Sequence, residues 1–257
     1  MIKKLQLNKE AIRIKRALIS VFDKTGLIDF AETLQGFNIE ILSTGGTAKT
    51  LKNGNVDVTD ITDYTKFPEI MNGRVKTINP LVSGGILGLR DRHDEEAKKN
   101  KIKWIDLVVC NLYPFSDAIS KEDCDDALAL ENIDIGGPTM IRSAAKNLGW
   151  VCVAIDPNDY EAIGEELKES NKISFDTRQK LSSKAFGHTA KYDTIIHNYL
   201  KDEPRTEDLS LTFTKHSDMR YGEILINQLV HTKYLVITSL IFLMQQFIKG
   251  KNCLTII

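Results

Sequence analysis

The stretch "NIEILSTGGTAKTLKNG" (residues 38–54) joins a short apolar run, two adjacent glycines among hydroxyl residues, and a helix-like segment that stops at Gly54. "NIEILS" predicts a strand and "TAKTLKNG" a short helix ended by glycine. Two readings of the corner between them stand on these residues alone. One is a plain strand-to-helix turn with Thr47 as N-cap. The other is a cradle for an anion, in which glycines let backbone N–H groups approach a ligand and the helix presents its positive end. Ser43, Thr44 and Thr47 would then add hydroxyl donors. The segment is neither GxxxxGK[ST] nor GxGxxG, so the phosphate motifs of nucleotide triphosphatases and dinucleotide-binding folds do not describe it.

Working outward, the same alternation recurs. "RALISVF" (residues 16–22) is a short apolar run followed by the turn "DKTG", after which Leu27, Phe30, Ala31 and Leu34 recur at helical spacing up to Gly36. "VDVTDI" (residues 56–61) predicts a further strand, and "IDLVVCNL" (105–112) and "WVCVAI" (150–155) are continuous apolar runs. Such runs belong to strands buried on both faces of a parallel sheet. The pattern predicts an α/β fold, a mostly parallel sheet with helices on both sides. Leu181, Ala185, His188, Tyr192, Ile195, Ile196 and Tyr199 then mark one long helix over residues 174–200, and "KDEPRTEDLS" reads as a charged linker.

Composition narrows the function. The 257 residues carry 34 Lys and Arg against 35 Asp and Glu, so no overall charge draws the chain to nucleic acid or to an anionic membrane. Any anion must be held locally. Cys110, Cys124, Cys152 and Cys253 form no CxxC pair, which predicts neither a disulfide framework nor a zinc site and suits a reducing cytoplasm. His93, His188, His197, His216 and His231 show no metal-ligand spacing. The N-terminal "MIKKLQLNKEAIRIKR" lacks the apolar core of a secretory signal.

In such folds the functional loops lie beyond the carboxyl ends of the strands, and the chemistry-bearing segments occupy those places. "GRVKT" sets Arg74 and Lys76 two apart, pointing the same way if the segment is extended. "NLYPF" places Asn111 and Tyr113 at a strand end, where both can hydrogen-bond a polar ring. "IDIGGPTMIRSAAKN" puts Asp134 before a helix that begins near Pro138, with Arg142 and Lys146 on one face. A lysine beside another cation is a candidate base. Taken singly, each of these is as readily an ordinary surface or packing residue.

Together, "SVFDKTGL", "STGGTAK", "FPEIMNGRVKT", "CNLYPF", "IDIGGPTMIRSAAKN" and "KAFGHTAKYD" resemble, in order, the blocks of the bifunctional purine biosynthesis family, which joins an IMP cyclohydrolase domain to an AICAR transformylase domain. The resemblance implies a methylglyoxal-synthase-like three-layer α/β/α sandwich over residues 14–202. It implies closure of a formamido-imidazole-carboxamide ribotide to IMP with loss of water, in the cytoplasm, without metal or cofactor, on a small-molecule ribotide and no nucleic acid or membrane. In the family the protein is a homodimer. Carried across by position, Lys76, Tyr113, Asp134 and Lys146 match the proton-relay set, with Lys146 expected as the principal acid/base group oriented by Asp134 or Tyr113. Ser20, Lys24, Ser43, Thr44, Gly45, Gly46, Thr47, Arg74, Thr77, Asn111, Gly136 and Gly137 match substrate-binding positions. The alternatives are a methylglyoxal synthase-type lyase of the same fold and a non-catalytic nucleotide-binding remnant.

Two departures stand out. Asn79 and Ser83 replace histidines common in the family. After "RYGE" (residues 220–223) the family reads "NPHQP", whereas this chain reads "ILINQ". Removing one A from GAA-AAT-CCT-CAT-CAA-CCA-G gives codons for EILINQ. Residues 203–223 are therefore expected to be a linker and the start of a lost transformylase domain, and 224–257 an out-of-frame tail. The apolar run at 235–248 is shorter than the roughly 20 residues a membrane span needs.

Overall fold

The computed structural model describes residues 6–121 and 123–201. The expected linker at 203–223 and tail at 224–257 lie outside them. The described elements are β1 (Arg16–Ser20), α1 (Leu27–Gly36), β2 (Glu40–Ser43), α2 (Gly45–Asn53), β3 (Thr59–Asp60), α3 (Ile61–Thr65), α4 (Pro80–Leu87), α5 (Asp94–Lys99), β4 (Leu107–Cys110), α6 (Phe115–Ile119), α7 (Asp126–Glu131), α8 (Gly136–Lys146), β5 (Cys152–Ala154), α9 (Tyr160–Ser170) and α10 (Phe175–Leu200), with short 3-10 turns at Met71–Gly73 and Pro157–Asp159.

The five strands form one sheet in the order β3-β2-β1-β4-β5, every pair parallel. Parallel neighbours need crossovers, and right-handed crossovers decide which face each helix takes. The chain moves one way from β1 to β3 and the other way from β4 to β5. Accordingly α1 packs with α2 and α9, while α4 packs with α8. This is an α/β/α sandwich, as the alternation predicts. Ala17, Leu18 and Ile19 of β1 and Leu107 and Val108 of β4 are fully buried, which explains why these strands read as unbroken apolar runs.

Three boundaries differ from the sequence reading. "VDVTDI" contributes only Thr59 and Asp60 to the sheet, because Asp60 caps α3 by accepting from the Thr62 N–H at 2.9 Å. The helix expected near Pro138 begins two residues earlier, at Gly136. The N-cap of α2 is Thr44, not Thr47.

Arg178, with no exposed surface, closes the amino-terminal side of α10. Its guanidinium donates to the carbonyls of Leu148 (2.8 Å), Ile173 (2.6 Å) and Glu10 (2.9 Å), tying three segments together. Burial pulls its pKa below the ordinary arginine value. Asn79, in place of the family histidine, accepts from the Leu81 N–H (2.9 Å) and caps α4, with Pro80 at the first helical position.

Candidate active site

The strand order reverses direction between β1 and β4, and the crevice outside that point is where open parallel sheets bind ligands. Asn111, just after β4, closes it from one side: its Oδ1 accepts from the Phe22 and Asp23 N–H groups at 2.7 and 2.9 Å. Phe22 is half exposed and meets Tyr113 edge to face, centroids 4.7 Å apart at 87°. Among the described residues the Tyr113 hydroxyl has no hydrogen-bond partner, so an amphipathic aromatic pair faces the crevice.

The glycine corner supplies the second wall. The first backbone bond of α2 runs from the Ala48 N–H to the Thr44 carbonyl at 3.1 Å. The amides of Gly45, Gly46 and Thr47 are therefore left at the helix end without intrahelical partners. Gly45 has φ +45°, and a Cβ there would come within 3.1 Å of Lys76 Nζ. An ammonium group thus stands over the positive end of a helix, two positive features at one spot, which favours an anion. Ser20 and Thr44 hydroxyls lie 3.0 Å apart at the ends of β1 and β2. Ser43 and Thr47 do not join them, a correction to the expected donor set. Ser43 Oγ donates to the Ile19 carbonyl (2.8 Å), and Thr47 Oγ1 donates to the Val21 carbonyl (2.9 Å) while accepting from the Val21 N–H (3.1 Å). Both side chains are buried and stitch the corner to β1.

Lys76 is held by an ion pair with Glu69, which the sequence reading missed. Ile70 and Val75 form an antiparallel bridge, which sets the flanking residues 69 and 76 side by side, a pairing that only the folded loop reveals. The hairpin tip takes positive φ at Met71, Asn72 and Gly73, and Arg74 after it is helical (φ −65°, ψ −27°), so the segment is not extended. Arg74 consequently diverges from Lys76 and pairs with Glu131 of α7 at the surface, a second correction. Lys24 is exposed and donates to its own loop at the Phe22 carbonyl (3.2 Å).

The third wall is the start of α8. Asp134 Oδ1 accepts from the Gly137 N–H at 2.9 Å. A side chain on Gly137 would collide with the Asp134 carboxylate and with Leu112, so glycine lets the carboxylate lie flat on the helix end. A Cβ on Gly136 would come 2.8 Å from Thr77 Oγ1. Lys76 at α2 and Thr77 at α8 thus let one short loop touch both helix ends. Near Lys76 lies Asp60. Burial pushes its carboxyl up, but hydrogen bonds from Thr62 and the charges of Lys76 and Lys52 bring it below its ordinary range.

Lys146 is not part of this assembly. It is exposed at the last residue of α8, ten residues beyond Gly136, and a rise of 1.5 Å per residue places it about 15 Å along the axis. Helical spacing put Arg142 and Lys146 on one face, but the same helix length carries Lys146 away from Asp134. Arg142 lies over the Phe186 ring at 5.4 Å. A hollow of about 430 Å³ between α8 and α10 runs from Asp134 and Tyr192 past Pro138 to Arg142, Ser143 and Ile196.

These features define a methylglyoxal-synthase-like (MGS-like) domain in which a helix end beside Lys76 and a polar, partly aromatic group of side chains follow the carboxyl ends of the central strands. The MGS-like domain family matches residues 26–139, and the AICARFT/IMPCHase bienzyme family matches residues 144–250. The chain is 52% identical over 218 residues to the bifunctional purine biosynthesis protein PurH of Acetivibrio thermocellus, covering 82% of this chain and 42% of that protein. It is 50% identical over 214 residues to PurH of Bacillus cereus, covering 81% and 42%. A crystal structure of ForH superposes with TM-score 0.65 at 32% identity, over 71% of this chain and 94% of that one. The chain belongs to the PurH family of bifunctional purine biosynthesis proteins and corresponds to its N-terminal part. It spans less than half the length of the curated relatives it matches.

Proposed function

We propose that the chain is an IMP cyclohydrolase, closing the second ring of formamido-imidazole-carboxamide ribotide. One observation carries the reading. Adjacent residues of one loop, Lys76 and Thr77, reach an anion-binding helix end and the Asp134 helix end respectively. A ribotide has that same layout, with a phosphate at one end and a reacting base at the other. Fixing both ends aligns two substituents on one ring, which replaces a search over rotamers by a near-attack geometry.

In the reaction, the carboxamide nitrogen bonds to the formyl carbon and loses a proton, and the formyl oxygen gains one. The formamide nitrogen then gives up its proton as that oxygen leaves as water. No electrons are transferred, so no cofactor is needed. Asp134 is assigned as proton acceptor for the carboxamide nitrogen, with Oδ1 already held by Gly137. Tyr113 is assigned as donor at the departing oxygen, Asn111 and Phe22 as the wall against the imidazole, and Lys76, beside Gly45, as partner of the phosphate. Gly45, Gly46 and Thr47 amides with the Thr44 and Ser20 hydroxyls take the phosphate. The ligand is a small ribotide, and a cytoplasmic setting fits this substrate. Among the described residues no helix is long and apolar enough to cross a membrane.

The test is turnover by the full chain, offered the formylated ribotide and, separately, a triose phosphate. Formation of IMP that is lost in Asp134→Asn supports the reading. Methylglyoxal formation from the triose phosphate, or no IMP, would reject it.

A further inference from the structure

The block "KAFGHTAKYD" on α10 has no part in the crevice as described so far, yet one of its residues touches it indirectly. The Tyr192 hydroxyl accepts a hydrogen bond from the Asp134 backbone N–H at 2.8 Å. Its ring, 6% exposed, meets Phe115 edge to face with centroids 6.5 Å apart at 70°. Phe115 is buried and begins α6 directly after the loop that carries Asn111 and Tyr113. One side chain on a long helix therefore backs two of the three walls.

Asp134 lies outside any strand or helix, so no backbone ladder fixes it. Its carboxylate grips Gly137, but that grip alone lets the loop and the helix end move together. The bond from α10 supplies the missing anchor on the main chain. We infer that Tyr192 is a positioning residue for ring closure, fixing the Asp134 carboxylate and supporting the Tyr113 loop without touching the substrate. This rests on the cyclohydrolase reading above.

The phenol also has the right chemistry for the task. A hydroxyl can accept from the Asp134 N–H where a phenylalanine cannot, and burial pushes the Tyr192 pKa up, so the group stays neutral. Tyr192→Phe keeps the ring and its contact with Phe115 while removing only the acceptor.

The experiment is a double-mutant cycle in the full chain: wild type, Tyr192→Phe, Asp134→Asn and the pair. Ring-closure kcat and KM, IMP affinity by calorimetry and melting temperature are measured for each. Tyr192→Phe should lower kcat about tenfold, the rate equivalent of one hydrogen bond, while KM and IMP affinity change less than about twofold. In the Asp134→Asn background the same change should cost less than about twofold more, because its route to the chemistry has gone. Equal losses in both backgrounds, an unaltered kcat, or collapse of IMP affinity together with melting temperature would each overturn the positioning role. A wild-type chain that forms no IMP would instead overturn the cyclohydrolase reading, and this role with it.

Discussion

The two edges of the sheet treat charge in opposite ways. At the amino-terminal edge Asp106, Arg90 and Arg178 are locked. Asp106 Oδ2 accepts from the Lys15 and Arg16 N–H groups at 2.9 and 3.2 Å. Arg90, over the Trp104 ring at 4.9 Å, donates to the Ile105 carbonyl at 2.8 Å and to Asp106 at 3.4 Å. Arg178 is spent on carbonyls alone. At the carboxyl-terminal edge, helix amides, the Tyr113 hydroxyl and one oxygen of Asp134 are left facing a crevice. The same residue types give stability where their partners are internal and chemistry where the partner must come from outside. A cavity of about 530 Å³ lined by Asn8, Arg13, Arg16, Arg90 and Trp104 lies at the locked edge. Its size does not make it the site, because Arg16, Arg90 and Asp106 are already held by internal partners.

The contrast breaks most sharply on kinetics against stability. Asp134→Asn should lower kcat by about 10²–10⁴, the range of general acid–base catalysis, with little change in melting temperature. Arg178→Ala should do the reverse. Leaving several buried carbonyls without donors should cost roughly 3 kcal/mol or more in chemical denaturation, while folded molecules keep their KM. If Arg178→Ala slowed turnover in fully folded protein, the division between the edges would fail.

Lys76→Ala tests the shared loop. Loss of a charge-assisted contact to phosphate should raise KM by roughly 10- to 150-fold, equivalent to about 1.5–3 kcal/mol, with a smaller change in kcat. Lys146→Ala should leave kcat within about threefold of wild type, since surface substitutions away from a site change little. A large loss there would show that the far end of α8 reaches the chemistry.

The smallest effect is on pH dependence. His188 Nε2 is buried without a hydrogen-bond partner. Burial, then the charge of Lys191, lowers its pKa from 6.5, with Lys184 acting the same way and Asp156 opposing. The unfolded chain therefore binds a proton that the folded one resists. Stability falls as pH drops below the unfolded value of 6.5. His188→Gln should flatten the melting-temperature slope between about pH 7 and pH 5. An unchanged slope would show that the imidazole is not the group responsible.

Strands and glycine corners were legible because their signals are local: apolar runs, φ-permissive residues and helix stops. The crevice was legible in part. Asn111 and Tyr113 follow β4 and Asp134 precedes α8, where parallel sheets place chemistry, while Lys76 lies in the loop before α4. What the sequence could not show is direction. Ser43 and Thr47 are hydroxyl residues in a hydroxyl-rich turn, and only the packing of α2 on β1 turns them inward. Arg74 and Lys76 share a face in an extended strand, but Arg74 takes a helical backbone (φ −65°, ψ −27°) at the end of the hairpin tip, which separates the two. Lys146 stands at the far end of α8 from Asp134, because helical periodicity reports the face of a residue and not its distance along the axis. Tyr192 lay in an apolar stripe, where a buried tyrosine reads as core until its hydroxyl's partner is known.

The most direct measurement is a crystal structure of the full chain with IMP bound. The phosphate should lie within hydrogen-bond reach of the Gly45, Gly46 and Thr47 amides with Lys76 beside it, and the base between Phe22, Tyr113 and Asp134. A nucleotide seated instead at the amino-terminal edge beside Arg90 and Trp104, or near Lys146, would contradict the assignment of the crevice.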